Sequence, residues 1–278
     1  AQLQHGLTPQ LSLTTGLRHA RIKNDINNLG TPVAINDEVT VASLGMVYQH
    51  NGLRLYARAD QNYRFAKVDE HTNQVFGQPV GLDTQTGISY ETGIEYNQAG
   101  YRLKARAYRL NLDNEISNDA SAFLANVNLD KTRRMGAVMS AEWTPNQDTR
   151  LGASYEYIDS EITSGTHQGS RVPLVAKQRG TLFAEWWTLP DLLLRADIVS
   201  TGDRVLASDF ANSGPLLEAY TLTNLNANYT KGRWHFNARI NNLFNKTYQA
   251  SGASAFANVG FNPAHERNFV LNIRYLFD

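Results

Sequence analysis

Cysteine is absent from the 278 residues of this chain, and histidine is sparse, with seven copies. Without cysteine the chain has no disulfide bond, no thiolate metal site and no cysteine nucleophile. No two histidines stand at the i, i+2 or i, i+4 spacing that places a pair of metal ligands on one face of a strand or helix. We therefore expect no metal site and no cofactor.

Net charge and long apolar runs are lacking as well. The 26 basic and 26 acidic residues cancel, so no overall charge attracts the chain to nucleic acid. The mean hydropathy is -0.42, and no run approaches the ~18 apolar residues that a membrane-spanning helix needs. Two classes remain, a soluble β protein and a membrane β-barrel, because every second residue of a barrel strand faces a polar lumen.

Alternation of apolar and polar residues is what the sequence has in abundance. Apolar residues occupy every second position from Leu53 to Ala59 and again from Phe269 to Phe277. The alternating segments run longer than the ~5–6 residues of an average soluble strand and approach the ~9–11 residues of a tilted barrel strand. Arg102, Lys104 and Arg106 occupy successive positions of one face, which suits a water-filled lumen and not a buried sandwich core.

Short turns alternate along the chain with long polar connections. The turns are Asn51-Gly52, Gln98-Ala99-Gly100, Pro145-Asn146, Pro190-Asp191 and Lys231-Gly232. The long connections are 24–38, 67–87, 113–124, 160–174, 203–218 and 246–266. Short turns at one end and long loops at the other are typical of bacterial outer-membrane barrels, in which the turns face the periplasm. The tryptophans Trp143, Trp186, Trp187 and Trp234 lie beside the turns, as a girdle of interfacial rings would.

These patterns together predict an all-β fold, a transmembrane antiparallel up-and-down β-barrel of about 12 strands with short periplasmic turns and long extracellular loops. The barrel would occupy residues 1–278 as one domain in the bacterial outer membrane, with both termini on the periplasmic side. Its last strand, Phe269 to Phe277, would then pair with the segment from Leu11 to Leu17.

The segment from Asn242 to Tyr248 reads Asn-Leu-Phe-Asn-Lys-Thr-Tyr and closely resembles the NLF-x-K-x-Y segment of TonB-dependent outer-membrane receptors. In that family the segment precedes a last strand of alternating aromatic residues, which here runs to Phe277. Further stretches similar to family segments are Tyr63–Ala66 followed by Asp83–Gly93, Tyr108–Ile116, and Asn126-Val127 followed by Arg134-Met135-Gly136. The resemblance covers nearly the whole chain.

The resemblance implies a receptor that takes up a scarce nutrient, foremost a ferric siderophore, driven by the TonB system. Receptors of this family carry an N-terminal plug domain, a TonB box and a barrel of roughly twenty-two strands; in these residues we expect neither plug nor box and about the last twelve strands of the barrel. The expected partners are the plug domain, the TonB system, and the lipid and lipopolysaccharide of the outer membrane. The alternative is a passive outer-membrane pore, or a reduced or engineered barrel of about 12 strands without active transport.

Strand parity also assigns charged residues to the inner wall. If the apolar row from Leu53 to Ala59 faces lipid, the alternate positions face the lumen. The basic residues assigned to the lumen in this way are Arg54, Arg58, Arg102, Lys104, Arg106, Arg195, Arg239 and Arg274. A basic lumen would favour anions such as ferric siderophores. The alternative is that these side chains pair with acidic partners and brace the wall.

Six further residues are candidates for ligand contact, because they lie in loops or at the outer ends of strands, where an arginine beside an aromatic ring suits an anionic, conjugated chelate. They are Tyr63, Arg64, Arg171, Arg204, Phe210 and Tyr248. Ser164, His167 and Ser170 are close in sequence but lie in a loop, and no His-x-Ser occurs as in the outer-membrane phospholipases of similar size. We therefore expect no enzymatic activity.

Overall fold

The computed structural model describes residues 1–28, 31–73, 75–256 and 258–277. Apart from two short 3-10 helices, Val68–Glu70 and Ala120–Ala122, the regular structure of these residues is β-strand. In chain order the strands are β1 Gln2–Gly6, β2 Leu11–Asn28, β3 Thr31–His50, β4 Leu53–Arg64, β5 Gln85–Gln98, β6 Tyr101–Asp119, β7 Ala125–Asn146, β8 Thr149–Ser164, β9 Gln178–Leu189, β10 Leu192–Thr201, β11 Tyr220–Lys231, β12 Trp234–Asn241, β13 Gln249–Ala255, β14 Asn258–Pro263 and β15 Asn268–Tyr275. No helix in this described part has the length and apolar character needed to cross a membrane.

Thirteen of the strands in the described residues form one continuous antiparallel sheet. Consecutive strands pair with each other from β1 to β12, and β15 then pairs with β12. β13 and β14 pair only with each other, in the long connection between β12 and β15. The predicted all-β, antiparallel, up-and-down architecture is therefore confirmed. The sheet has thirteen strands in the described part of the chain, where the sequence predicted about 12.

The alternation seen in the sequence explains the two faces of this sheet. In the pairing of β4 with β5, Arg54 lies opposite Glu95 and Leu55 lies opposite Ile94. Polar and apolar side chains separate in this way because successive residues of a strand point to opposite sides. The apolar face is exposed, as Met139 shows with 58% of its surface accessible. An exposed apolar band is typical of a surface that contacts lipid.

The short turns join the strands at one end of the sheet. Asn51 and Gly52 have positive φ angles of 44° and 79°, as the tight hairpin between β3 and β4 requires. β7 continues to Asn146, so the turn expected at Pro145-Asn146 lies just beyond it. Near these turns the rings of Tyr101 and Trp143 stack with centroids 6.1 Å apart. Such rings stand where a girdle at the membrane interface would.

The long connection expected over 24–38 is largely strand, and that expectation is wrong. β2 and β3 pair as far as Asn28 and Thr31, while residues 29 and 30 lie outside the described part. In the same way β6 continues to Asp119, well into the connection expected over 113–124. The cause is compositional, because the outer end of a strand that stands in water above a membrane is as polar as a loop.

The expected pairing of the last strand with the segment from Leu11 to Leu17 is also wrong. Leu13, in the middle of that segment, lies opposite His5 of β1 on one side and Met46 of β3 on the other, so no edge is free there. Ala1 lies beside Leu17, partway along β2 and not at the short-turn end. Within the described residues β1 and β15 are unpaired edges, and the sheet is not closed into a barrel.

Apolar burial is concentrated at the long-loop end. Leu129, Ile162, Val172 and Phe210 form a buried cluster that joins the outer parts of β7 and β8 to the loops that follow. Leu206, in the same loop as Phe210, has 0% accessibility. Since burial of apolar surface is the main stabilising contribution in water, these loops are held together as the core of a soluble protein is, whereas the strands below them expose their apolar face.

Candidate functional site

The polar face of β4 to β10 carries paired charges and is named here the charged wall. The antiparallel register places its side chains opposite or diagonal to one another on neighbouring strands. The ion pairs are Arg54–Glu95 at 3.1 Å, Arg58–Asp60 at 2.6 Å, Arg102–Glu142 at 3.3 Å and Arg106–Glu91 at 3.1 Å. The acids thus face cations of the same wall. No group of three or more histidine or acidic residues in the described chain is arranged to hold a metal ion.

Glu185 of the charged wall is almost buried, with 8% of its side chain accessible. One carboxylate oxygen lies 2.5 Å from Arg195 Nη1, and the other lies 3.0 Å from Arg150 Nε. Arg195 also reaches Asp197 at 2.5 Å. Both arginines lie over the ring of Phe183, at 4.4 Å for Arg195 and 5.3 Å for Arg150. The Glu185 carboxylate is therefore shared by Arg195 and Arg150, and both arginines would lose an ion pair if it were removed.

Aromatic rings approach the charged wall closely where the neighbouring strand carries a glycine. A Cβ on Gly93 would lie 2.5 Å from the ring of Tyr56, and one on Gly152 would lie 2.2 Å from the ring of Phe183. Both distances are far below a normal carbon–carbon contact of ~3.5 Å. The glycines make room for the rings, and the rings provide the faces on which arginines stack, as Arg54 does over Tyr56 at 4.7 Å.

The polar face of β11, β12 and β15 has a different composition and is named here the amide wall. Its asparagines are Asn224, Asn226, Asn228, Asn237, Asn241, Asn268 and Asn272. Asn228 accepts a hydrogen bond from Asn237 and donates one to Asn226, both at 2.5 Å. Along the described length of these three strands no position on this face is acidic. On this wall neutral amide side chains therefore satisfy one another by hydrogen bonds, whereas on the charged wall the side chains satisfy one another by ion pairs.

The basic residues expected on the inner face fall into two groups, those that make an ion pair and those that make none with a described residue. Those with an ion pair on the charged wall are Arg54, Arg58, Arg102, Arg106 and Arg195. Lys104, Arg239 and Arg274 make no ion pair with any described residue. The sequence left ion pairing open as the alternative to a basic lumen. Ion pairs are present at five of these eight positions. Three of the eight expected cations thus have no counter-ion in the described chain.

Arg171 and Phe210, two of the ligand candidates, belong to the packed loops at the long-loop end. Arg171 Nη1 lies 2.6 Å from Asp203, and this guanidinium holds the pKa of the Asp203 carboxyl below its usual range. The backbone amide of Arg171 donates to Asn212 at 2.6 Å. Phe210 has 6% accessibility and packs in the apolar cluster against Val172. Together these contacts fasten the β8–β9 connection to the β10–β11 connection.

Arg204 and Tyr248 anchor the β13–β14 hairpin to the same loops. Arg204 is buried, and its two Nη atoms donate to the carbonyl oxygens of Ala250 and Gln249 at 3.0 and 3.2 Å. Its guanidinium lies 5.7 Å from the ring of Tyr220, which packs against Tyr248 with centroids 4.3 Å apart. Burial raises the pKa of the Tyr248 phenol. The structure thus brings four of the six ligand candidates into one loop assembly.

Tyr63 and Arg64, the other two candidates, belong to a different set of contacts at the outer end of β4. Arg64 is ion-paired with Glu70. The ring of Tyr63 lies 5.2 Å from that of Phe65, and the guanidinium of Arg18 lies 5.3 Å from the Tyr63 ring. Ligand contact by any of the six residues stays a prediction.

Sequence reasoning missed a cluster of exposed phenylalanines at the long-loop end. Phe123 lies between Phe76 and Phe256, with centroid distances of 5.1 and 5.2 Å. The rings come from three separate connections, and about half of each residue is accessible. Phe123 and Phe256 have φ angles of 56° and 48°, which bulky residues rarely adopt. The signal available in the sequence is the presence of large apolar residues in otherwise polar loops.

Comparison with known proteins places this geometry in context. Residues 1–243 match the family described as TonB dependent receptor-like, beta-barrel. The metal-pseudopaline receptor of Pseudomonas aeruginosa is 26% identical over 277 residues, which cover 93% of this chain and 37% of the relative. The ferrichrome outer membrane transporter/phage receptor of Escherichia coli is 25% identical over 175 residues, which cover 59% of this chain and 23% of the relative.

Solved structures agree on the fold. The ferric yersiniabactin uptake receptor of Yersinia pestis superposes with a TM-score of 0.79 at 19% identity, over 100% of this chain and 45% of the receptor chain. A copper transporter superposes with a TM-score of 0.79 at 16% identity, over 99% of this chain and 47% of the transporter chain. This chain therefore spans less than half the length of these relatives. At such identities the structural likeness concerns the fold alone.

Proposed function

The chain belongs to the family of TonB-dependent receptors, of which it forms part of the β-barrel, and from this premise we propose that it serves the uptake of a ferric siderophore or a similar metal chelate. Members of this family are transport receptors of the bacterial outer membrane and not enzymes, and they take up siderophores or metals. The choice of a ferric siderophore, with transport driven by the TonB system, belongs to the proposal.

The division of the sheet into an apolar and a polar face is the observation that carries the proposal. The exposed apolar residues suit contact with lipid, and the polar face suits a water-filled passage. At one end the loops pack around Phe210 and Arg204 into an ordered assembly. An ordered loop assembly at one end of a polar wall suits a receptor for a dissolved chelate, because ligand sites are concave and largely formed before the ligand arrives.

We propose two different roles for the six rim and loop candidates, support of the loops and contact with the ligand. Arg204 and Phe210 are almost buried, so they would act by holding the loops in place. The candidates that keep accessible surface are Tyr63, Arg64, Arg171 and Tyr248. Guanidinium groups and aromatic rings of this kind can contact the charge and the conjugated part of an anionic chelate.

We further propose that residues 1–278 form one barrel portion of a receptor whose partners are a plug domain, the TonB system, and the lipid and lipopolysaccharide of the outer membrane. The unpaired edges of β1 and β15 in the described sheet support a larger wall. A passive pore made by this chain alone has less support, because a pore needs a closed wall.

Uptake of radiolabelled iron tests the proposal. Cells without siderophore receptors of their own would express a receptor that carries this segment and would be offered hydroxamate, catecholate and carboxylate ferric siderophores. We expect TonB-dependent uptake of at least one of them. Arg171→Gln should reduce this uptake about tenfold, which corresponds to the loss of one hydrogen bond made by a charged group. Arg102→Gln on the charged wall is the matched control. A chain that conducts ions in a planar bilayer, with no TonB-dependent uptake of any probe, would contradict the proposal.

A further inference from the structure

A groove of about 570 Å³ crosses the exposed apolar face of β4 to β7 and is named here the alanine groove. Its floor is a row of small side chains in direct cross-strand register. Ala57 lies opposite Thr92, Thr92 opposite Ala107, and Ala107 opposite Ala137. The hydroxyl of Thr92 donates to the carbonyl oxygen of Tyr56 at 3.0 Å, so this polar group is satisfied within the sheet. Three strand spacings make the floor about 14 Å long.

Larger side chains border the floor on both sides. Those that line it toward the short turns are Leu55, Ile94 and Met139. In the next row toward the long loops, Arg109 lies opposite Tyr90 on one side and Met135 on the other. The small residues therefore form a trough between two rows of larger side chains, which a linear hydrocarbon chain can enter.

Arg109 is a cation on the same face as the alanine groove and directly beside it. It follows Ala107 by two residues, about 7 Å along β6. Its Nε donates to Asn111 at 3.0 Å, and it makes no ion pair with a described residue. Lys131, a cation farther out on this face, lies 3.4 Å from Asp113. The charge of Arg109 is thus not compensated by the described chain.

The height of Arg109 matches the outer boundary of the apolar band. Tyr101 and Trp143 stand in the girdle near the short turns, and Arg109 follows Tyr101 by eight residues, about 26 Å along the strand. At a strand tilt of about 40° this is a height of about 20 Å, near the top of an apolar band about 25 Å tall. A long cationic side chain at this height extends its charge toward the lipid head groups.

We propose that the alanine groove holds an acyl chain of a membrane lipid whose phosphate head group contacts Arg109. Hydrocarbon gains little by moving from bulk lipid to an apolar groove, because lipid tails are as apolar as the side chains. Selection of one lipid therefore depends on packing in the trough and on charge-assisted hydrogen bonds between the guanidinium and the phosphate.

A lipid fits this site better than a free phosphate ion. The surface beside Arg109 is apolar, so it offers a free anion no further polar contact, whereas it offers the chains of a lipid a packed surface. The inference deepens the proposed contact with outer-membrane lipid, and it rests on the proposed function because it takes this face to lie in the membrane.

A second groove on the same face has a similar shape but lacks the charge. It has a volume of about 740 Å³ and is lined by small residues that include Ala196 and Ala227. In the next row toward the long loops, Ile198 lies between Leu182 and Thr223, and none of the three is charged. This second groove should accept hydrocarbon without preferring a phosphate head group, and it provides an internal control.

Lipid binding to the chain in maltoside detergent micelles, read by native mass spectrometry, tests the inference. The probes are dipalmitoyl phosphatidic acid, dipalmitoylglycerol, which has the same chains without the phosphate, and glycerol 3-phosphate, which has the phosphate without the chains. We expect phosphatidic acid to bind about fivefold more tightly than dipalmitoylglycerol, with no displacement by glycerol 3-phosphate. Equal affinity of the two lipids, or displacement by glycerol 3-phosphate, would overturn the inference.

Charge-removing variants test the role of Arg109. Arg109→Gln should weaken binding of phosphatidic acid about fivefold and abolish the preference over dipalmitoylglycerol. Lys131→Gln is the matched control and should change this binding less than about twofold, because Asp113 already compensates Lys131. Equal losses in the two variants would contradict the proposal.

Groove-filling variants test the role of the trough. Ala107→Phe places a ring on the floor of the alanine groove and should weaken binding of phosphatidic acid about fivefold. Ala196→Phe fills the second groove and should leave the preference for phosphatidic acid unchanged. Equal effects of the two variants would count against the alanine groove as the site. The comparison of lipids uses the unmodified chain, so it holds even if a variant misfolds. Uptake is not read out, so failure of lipid selection and failure of the proposed function remain distinguishable.

Discussion

The charged wall and the amide wall belong to the same face of one sheet, but their side chains satisfy one another by different interactions. On the charged wall guanidinium and carboxylate groups neutralise each other, as Glu185 does for Arg195 and Arg150. On the amide wall neutral side chains bond neutral side chains, as Asn228 does with Asn226 and Asn237. Most cations of the charged wall are ion-paired, with Lys104 and Arg179 as exceptions in the described chain, whereas Arg239 and Arg274 of the amide wall both lack an ion pair with a described residue.

Burial determines how much each ion pair of the charged wall contributes to the free energy of unfolding. The Arg102–Glu142 pair is half in water, with 51% and 32% of the two side chains accessible, and exposed pairs of this kind are worth about 0–1 kcal/mol. Glu185 is 8% accessible, whereas Arg150 and Arg195 are 39% and 30% accessible, so water would only partly replace the Glu185 carboxylate at the two arginines. The comparison between the walls can therefore be sharpened by substitutions that differ in burial and in charge.

The largest effect is expected from Glu185→Gln, which keeps the shape of the side chain and removes its charge. Arg150 and Arg195 would lose their shared carboxylate, and we expect the free energy of unfolding to fall by about 2 kcal/mol after allowance for the partial exposure of the arginines. Urea unfolding of the chain in lipid vesicles, followed by tryptophan fluorescence, measures it. Glu142→Gln is the control and should cost less than about 1 kcal/mol; equal losses would show that burial does not separate the two sites.

A smaller effect is expected from Gly152→Ala, which tests the ring packing of the charged wall. The new methyl group would displace the ring of Phe183 and with it the stacked arginines, at a cost of about 1–2 kcal/mol. Gly180→Ala is a matched control, because a Cβ there meets no atom closer than 3.9 Å, and it should change stability by less than about 0.5 kcal/mol. The same unfolding assay applies, and a neutral Gly152→Ala would mean that the ring does not rest on this glycine.

The smallest effect is expected on the amide wall, from Asn228→Ala. This change removes two neutral side-chain hydrogen bonds, which water can replace in part, and should cost about 1 kcal/mol. Asn272→Ala serves as the control, since its side chain makes no hydrogen bond with the described residues, and should be close to neutral. A loss at Asn228 as large as that at Glu185 would break the distinction between the two walls.

Features that depend on neighbours along the chain were predictable from the sequence. The alternation from Leu53 to Ala59 identified a two-faced strand, and Asn51-Gly52 identified the hairpin before it, because both signals are local in backbone geometry. The separation of charged and apolar residues onto two faces followed from the same period. The strand ends were not predictable, since the polar outer part of β2 and β3 has the composition of a loop.

Features that depend on diagonal or remote neighbours were not predictable. Arg106 pairs with Glu91 and not with a residue directly opposite it, a choice made by side-chain reach across the register. Phe210, chosen as a ligand candidate because it stands in a polar loop, is buried against Leu129 and Ile162, which lie far from it in sequence. Periodicity within one segment carries no information about either contact.

The sequence by itself determined the two-faced strands, the alternation of turns and long connections, and the motif from Asn242 to Tyr248 that resembles one receptor family. The tertiary structure alone decided which cations are neutralised, where the loops bury their apolar residues, and that β1 and β15 remain unpaired edges in the described sheet. The physical reason is the distance along the chain between the residues that determine each feature. The direction in which a side chain points is set by its own strand with a period of two, whereas its partner and its burial are set by strands and loops that only the register and the curvature of the whole sheet bring near.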